Sequence, residues 1–425
     1  MPTFLSHGSA TTVIGDAQLR ALVRDALKTL GSRTRVLAVP PDATRAHSRA
    51  GVVLGAVHDV YGAALVDVLP ALGTHRPMTD AEIARMYPDV ARARFRDHDW
   101  RNDVVTVGTL DASFVSAATE GVWDKPWPAQ LNKLIAHGGH DLILSIGQVV
   151  PHEVAGMANH NKNLFIGAGG AAGINESHFI GAAYGMERMM GRADTPVRRL
   201  LDAARTHFCK HLPFVYVLTV VGPDEQGRSV TRGVFVGDDE DCFVAASALS
   251  LQCNFTMLDE APKKCVVFLD PHEFQTTWLG NKAVYRTRLA IADGGELVIL
   301  APGVHGFGED PEIDRLIRAY GYRGTPTTMA QVRDHADLRA NLSAAAHLIH
   351  GASEGRFAIT WAAGGLKAAE VEGVGYRHGD VAALSARYRP DGRTTGWHRT
   401  DDGERFFFVA NPALGLWAWR GRLPG

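Results

Sequence analysis

The stretch DLILSIGQVVPHEVAGMANHNK, residues 141–162, decides how this chain is read. Its first ten residues are mostly apolar, close to strand length and without regular polar alternation, which is the pattern of a strand buried on both faces of a parallel sheet. Pro151 ends the run, and a histidine, His152, stands at its tip. Lys162 follows ten residues later and His160 lies between them. In open α/β sheets ligands bind beyond the carboxyl ends of the strands, so a histidine and a lysine at this point ask for a chemical explanation.

The same grammar recurs upstream. RVLAVP (35–40) reads as a strand and runs into PDATR, which puts Asp42 and Arg45 just past its end. AALVDVLPAL (63–72) is strand-like and runs into GTHRPMTDAEI, which carries His75 and Arg76. Thr79 and Glu82 there have capping-box spacing. Leu19, Leu22, Val23, Ala26, Leu27 and Leu30 predict a helix over 16–31, with Asp16 as N-cap and Gly31 as the left-handed stop. A second helix is expected over 128–136, leading into 141–150.

Downstream, FVYVLTVVG (214–222) and TRGVFVGD (231–238) flank the turn PDEQGR and predict an antiparallel hairpin. A second α/β series then begins, with strands expected at KCVVFLD (264–270), ELVILAPG (296–303) and RFAITWAA (356–363). The fold class is therefore α/β in two domains, each a largely parallel sheet flanked by helices. The polar break EAPKK places the boundary so that 1–257 form the first domain and 258–425 the second. RFFFVANP (405–412) is the last strand-like run, and the tail ALGLWAWRG is apolar enough to pack down, with the last ~15 residues expected to return to the N-terminal domain.

Bulk composition narrows the class. The 425 residues are 46% hydrophobic and 21% charged, ordinary for a globular protein. A formal charge of −2 argues against nucleic acid or an anionic membrane as partner. The four cysteines have no zinc-finger spacing and read as free thiols. No leader pattern opens the sequence and no apolar run nears the ~20 residues of a membrane helix, so a cytoplasmic protein is expected.

Three strand tips thus bring Asp42, Arg45, His75 and His152 towards one sheet edge. Imidazole titrates near working pH and serves as acid or base, Arg45 offers a planar fork for a carboxylate or phosphate, and His178 would suit a transition metal. Each residue also has a structural reading. Asp42 is a turn former, Lys162 a cap or surface cation, GAGGAAG (167–173) a flexible turn, and Trp361 a core ring. His7, His98, His207, His335 and His398 belong to that structural background.

Taken together the motifs resemble the lactate racemase family of nickel-dependent 2-hydroxyacid racemases and epimerases. PPDATR (40–45) is similar to its DxTR segment, GTHRPMT (73–79) to its GxHRxMT segment, and DHDWRNDVVTVG (97–108) to the stretch that follows. PHEVAGMANHNK (151–162) keeps the PHxxAG…K spacing, NESHF (175–179) supplies the later histidine, and GNKAVYRTRLAIADGG (280–295) resembles a lysine-bearing helix start. The resemblance implies an isomerase that inverts C2 of a 2-hydroxy acid by hydride transfer through a 2-keto acid, on a substrate larger or more polar than lactate. It implies nickel and a nickel-pincer nucleotide (pyridinium-3-thioamide-5-thiocarboxylic acid mononucleotide) tethered to Lys162, with His178 as the metal ligand and Asp42 as a further cofactor-site position. His75 and His152 match the catalytic pair. Arg45 and Lys282 match substrate contacts, and Trp361 is a candidate to line an active site in the cleft between the domains.

The implied partners are the small 2-hydroxy acid and the cofactor-biosynthesis and nickel-insertion enzymes, without which the protein is expected to be empty. The sequence departs from the family pattern in two places. Met157-Ala158-Asn159-His160 stands where a small Ser-Gly-Gly turn is usual, which is expected to narrow or reorient the cofactor site or add a ligand to it. Leu279 stands where a glutamine is expected before Lys282. Two other readings compete: a non-catalytic member that binds a nucleotide or hydroxy acid, and a zinc hydrolase using His75, His152 and His178 as ligands with Asp42 as base.

Overall fold

The computed structural model describes residues 3–224, 226 and 228–422. The chain forms two compact units, Met1–Tyr184 with Arg188–Asn254, and Gly185–Glu187 with Phe255–Gly425.

Among the described residues, ten strands belong to the first unit. In chain order they are β1 (Leu5–Gly8), β2 (Val36–Val39), β3 (Leu65–Val68), β4 (Val104–Leu110) and β5 (Trp127–Asn132). Then come β6 (Leu142–Gln148), β7 (Pro151–His152), β8 (Gly156–Met157), β9 (Phe214–Pro223) and β10 (Ser229–Gly237). The main sheet has the order β1-β10-β9-β6-β2-β3. Its β9, β6, β2 and β3 are parallel, and the hairpin β9–β10 and strand β1 add the antiparallel edge. Every residue of β2 and β6 is buried, which explains their unbroken apolar runs. Val36, Ala38, Leu142, Leu144 and Ile146 face a core shared with Leu19, Val23 and Leu27 of helix Asp16–Lys28 and with Val53, Leu54 and Val57 of helix Ala50–Tyr61.

Two expectations change in detail. The first helix runs Asp16–Lys28 with Gly15 as N-cap, so Asp16 sits inside the first turn, where its carboxylate meets the positive end of the helix. Gly31 does take φ +76, beyond the C-cap Thr29. The second change is larger: 128–136 is mostly strand, because Trp127, Ala129 and Leu131 alternate inward and β5 pairs antiparallel with β4. Only Lys133–His137 is helical, capped by Asn132, whose side chain accepts from Leu134 N at 2.9 Å. The capping box at Thr79 and Glu82 forms as read.

The second unit holds β11 (Thr256–Leu258), β12 (Lys264–Phe268), β13 (Glu296–Ala301), β14 (Ala358–Ala363), β15 (Arg377–His378), β16 (Gly396–Arg399), β17 (Arg405–Val409) and β18 (Trp417–Trp419). Its six-stranded sheet, β15-β14-β13-β12-β17-β16, is parallel except at the β16 edge. Both units therefore carry the helix-flanked, parallel-rich sheets expected of the α/β class. The apolar tail packs within this second unit, where β18 pairs in parallel with β11. Among the described residues no helix is long and apolar enough to cross a membrane.

Candidate active site

A pocket of about 1020 Å³, counting its open mouth, lies beyond the carboxyl ends of β2, β3 and β6 and is lined by residues of the first unit. Asp42 and Arg45 reach it from the segment after β2, His75 from the segment after β3, and His152 from the end of β6 through the short β7. Lys162 and His178 complete the wall. Six residues singled out in the sequence thus meet in one place.

Asp42 is 5% exposed, and its Oδ2 lies 2.6 Å from Nδ1 of His75 while Oδ1 accepts from Thr44 Oγ1 at 2.5 Å. Burial pushes its carboxyl up, but these two bonds and the charges of His75 and Arg45 outweigh it and hold the group below its usual range. An ionised Asp42 can only accept, so His75 carries a proton on Nδ1, and the neutral form of the ring has its lone pair on Nε2.

The His152 ring is arranged the opposite way. β7 and β8 pair antiparallel around a tight turn, and the backbone N–H of Val154 donates to His152 Nδ1 at 3.0 Å. Gly156, at φ +77, closes that turn where a Cβ would lie 2.2 Å from Arg192 O. Burial pushes the His152 imidazole well below its ordinary pKa; Glu153 opposes this, and Lys162, Arg45 and His178 reinforce it. The ring is neutral.

Lys162 is reached through Asn159 and His160, both left-handed at φ 64 and 57. Such a conformation costs a non-glycine residue on the order of 1–3 kcal/mol, and the side chains compensate. Asn159 Oδ1 accepts from His160 N at 2.6 Å, and its Nδ2 donates to Ile146 O at 3.3 Å. The His160 ring stacks on Tyr216 at 3.8 Å and Phe243 at 5.0 Å, and its Nε2 lies 3.2 Å from Asp239 O. His160 therefore serves the core behind the turn. His160 is thus packed behind the pocket, while Ala158 and Asn159, the latter tied back to β6, stay among the residues that line it.

Two residues that carry no motif fix the tether. Arg198, 1% exposed, donates through Nη2 to the carbonyls of Met157 and Asn159 and lies over Phe243 at 4.1 Å. Asn163 donates to Val39 O at 2.8 Å and Ser145 Oγ at 3.1 Å, joining the residue after Lys162 to β2 and β6. Burial, aided by Arg45, pushes the Lys162 amine down to about 8. Roughly a tenth of it is thus uncharged and nucleophilic at pH 7, far more than for a lysine in water.

His178 sits inside helix Ala171–Tyr184 and donates from Nδ1 to Ile174 O at 2.7 Å, which leaves the Nε2 lone pair for a metal. Burial lowers its pKa, so the ring is in the neutral, ligating form. The glycines before it allow close packing: a Cβ on Gly169 would meet Phe165 O at 1.8 Å, and one on Gly170 would meet Gln130 Oε1 at 2.5 Å. His98, 3% exposed, bonds Gly169 O at 2.9 Å and Asn132 at 3.0 Å, a structural role.

Among the described residues no three His, Cys, Asp or Glu side chains are grouped to hold a metal ion. The ligand set of the zinc-hydrolase reading, His75, His152 and His178, is therefore not assembled. A metal on His178 needs its other ligands from a bound group. A buried near-neutral amine and a free imidazole nitrogen in one pocket are the donor set that a covalently tethered, metal-carrying nucleotide requires.

Lys282 and Trp361 belong to the second unit. Lys282 opens helix Lys282–Thr287 with its amine 5.5 Å from the Phe274 ring centroid. Trp361 is a core ring and not a lining residue of its unit: it is 1% exposed, and its ring centroid lies 5.8 Å from that of Tyr376.

Comparison with known proteins fits this geometry. The sequence profile of the lactate racemase N-terminal domain matches residues 12–189, the span that holds all six pocket residues. Residues 12–189 of this chain thus resemble the lactate racemase N-terminal domain. Two solved structures share the fold of this lactate racemase-like chain. One is a protein from Thermotoga maritima, 22% identical, covering 98% of this chain and 100% of its own, with a TM-score of 0.76. The other is the lactate racemase apoprotein from Thermoanaerobacterium thermosaccharolyticum, 15% identical, covering 97% and 94%, with a TM-score of 0.68. No curated protein matches in sequence.

Proposed function

We propose that this lactate racemase-like chain is an isomerase that inverts C2 of a 2-hydroxy acid through a 2-keto acid. Lys162 and His178 would hold a nickel-pincer nucleotide, the amine as covalent tether and Nε2 as metal ligand. That group supplies a reversible acceptor for the hydride of C2, a position too weakly acidic for an imidazole to deprotonate. The observation that carries the reading is the shared pocket: a near-neutral Lys162 amine, a ligand-ready His178 and an Asp42-backed His75 line one wall system.

The protein's own part is binding, orientation and proton handling. Arg45 presents a guanidinium to the substrate carboxylate. His75 Nε2 takes the hydroxyl proton, and the Asp42 carboxylate steadies the imidazolium that results. His152 meets the same substrate oxygen. Thr44, Ser48 and Gln148 add polar lining, which supports a substrate more polar than lactate. The test uses cofactor-loaded protein and 2-hydroxy acids deuterated at C2. Loss of optical activity with deuterium kept at C2 supports hydride transfer, whereas wash-out into water contradicts it.

A further inference from the structure

We propose that the cavity behind the turn of Lys162 is a second binding site, for a ligand that carries a primary ammonium group. This goes beyond the function proposed above and does not depend on it.

The turn has two sides. Ala158, Asn159 and Lys162 line the active-site pocket, whereas His160 and Asn161 line a separate cavity of about 700 Å³, counting its open mouth. Its other walls are Tyr216 of β9, Arg205 and Thr206 of helix Pro196–Phe208, and the run 238–241 after β10. Asp238, Asp239, Glu240 and Asp241 thus bring four carboxylates against one guanidinium.

A helix start accounts for part of this. Glu240 and Asp241 lie in the first turn of helix Glu240–Asn254, where negative charge meets the positive end of the helix. The balance of charge is still unmet. Burial pushes the Glu240 carboxyl up, Asp202, Asp241 and Asp194 add to this, and Arg198 opposes it. Burial also raises the carboxyl of Asp202, although Asn161 Nδ2 donates to its Oδ1 at 2.7 Å. Arg198 spends its Nη2 on the carbonyls of Met157 and Asn159 instead.

His160 supplies the independent sign of a ligand. It is 1% exposed, and burial, with the charges of Arg198 and Arg205, keeps its ring neutral. Nε2 lies 3.2 Å from the Asp239 carbonyl, which can only accept, so the ring proton is there. Nδ1 keeps a lone pair that is buried and has no partner. The nearby Tyr216 hydroxyl does not serve it, because it donates to Asn161 Oδ1. A buried acceptor without a donor is costly.

A lone pair, carboxylates and the Thr206 hydroxyl in one cavity call for a cation that only donates. An ammonium group is that species, with three N–H donors and no acceptor. A bare metal ion fits less well, since among the described residues no three His, Cys, Asp or Glu side chains are grouped to hold one. An ammonium bonded to His160 Nδ1 would brace the tether turn from behind.

The test titrates full-length protein labelled with 15N-histidine with 1,4-diaminobutane. Sodium chloride at matched ionic strength is the blank, magnesium chloride is the metal arm, and His160→Gln assigns the signal. We expect saturable binding that moves the His160 Nδ1 resonance away from that of a free lone pair. Asp238→Asn with Glu240→Gln should weaken the diamine by about tenfold or more, because charged hydrogen bonds are lost. Asp241→Asn, at an exposed position, is the second variant and should weaken it in the same direction. Failure of the diamine to saturate overturns the proposal, as does an equal response to sodium chloride. Magnesium that saturates and displaces the diamine overturns it in favour of a metal site. Diamine binding with the His160 Nδ1 signal unmoved overturns it too.

Discussion

Asp42 Oδ2 and His75 Nδ1 lie 2.6 Å apart, and that bond decides which ring nitrogen keeps a lone pair. The carboxylate is buried, and an amide in its place can accept the same bond but carries no charge to steady a protonated His75. Asp42→Asn should therefore lower kcat by about 10²–10⁴-fold while the loaded protein keeps its nickel. Steady-state kinetics with nickel quantified on the same sample checks this.

The same carboxyl makes a pH statement about folding. Its folded pKa lies below the unfolded value, so the folded state binds fewer protons in the acid range. Its stabilisation is present above about pH 4, the unfolded aspartate pKa, and is lost as pH falls through the lower folded value. Urea unfolding of wild type and Asp42→Asn from pH 7 to pH 3 should show a shallower acid decline in the variant.

Lys162 works in the opposite sense. Its folded pKa of about 8 lies below the unfolded lysine value, so charging it destabilises the empty protein at low pH, and the penalty fades as pH rises through 8 towards about 10.4. Lys162→Met should stabilise the empty protein by up to about 3 kcal/mol at pH 7, with the gain shrinking above pH 8. Thermal unfolding across that range measures it. No gain at pH 7 would place the amine in water.

The turn before the tether gives a contrast between two substitutions. Asn159→Gly relieves the left-handed backbone but gives up the bonds to His160 N and Ile146 O, so the terms roughly cancel. Asn159→Ala loses both bonds and keeps the strain, and should cost about 1–3 kcal/mol more than the glycine variant. Chemical denaturation of the pair separates strain from hydrogen bonding.

Much of this was legible in the sequence because apolar runs mark buried strands and the residue after each run marks the sheet edge. Asp42, Arg45, His75 and His152 were placed by that rule alone. Lys162 and His178 needed the family motif, since helix and turn positions carry no comparable positional rule. WPAQLN was misread because a two-residue alternation over six positions resembles one helical face until its pairing partner, β4, is seen. His160 shared the motif but not the pocket, its direction being set by Tyr216 and Phe243, more than fifty residues away in sequence. Arg198, Asn163 and the Val154 N–H had no signal at all, because their roles exist only once the turn is folded.

Intact-mass spectrometry with nickel analysis, on protein made with and without the cofactor-building enzymes, tests the central claim most directly. The account predicts a covalent adduct localised to Lys162 with equimolar nickel in the first sample, and the bare chain in the second. A bare chain in both, or nickel bound without modification of Lys162, would contradict it.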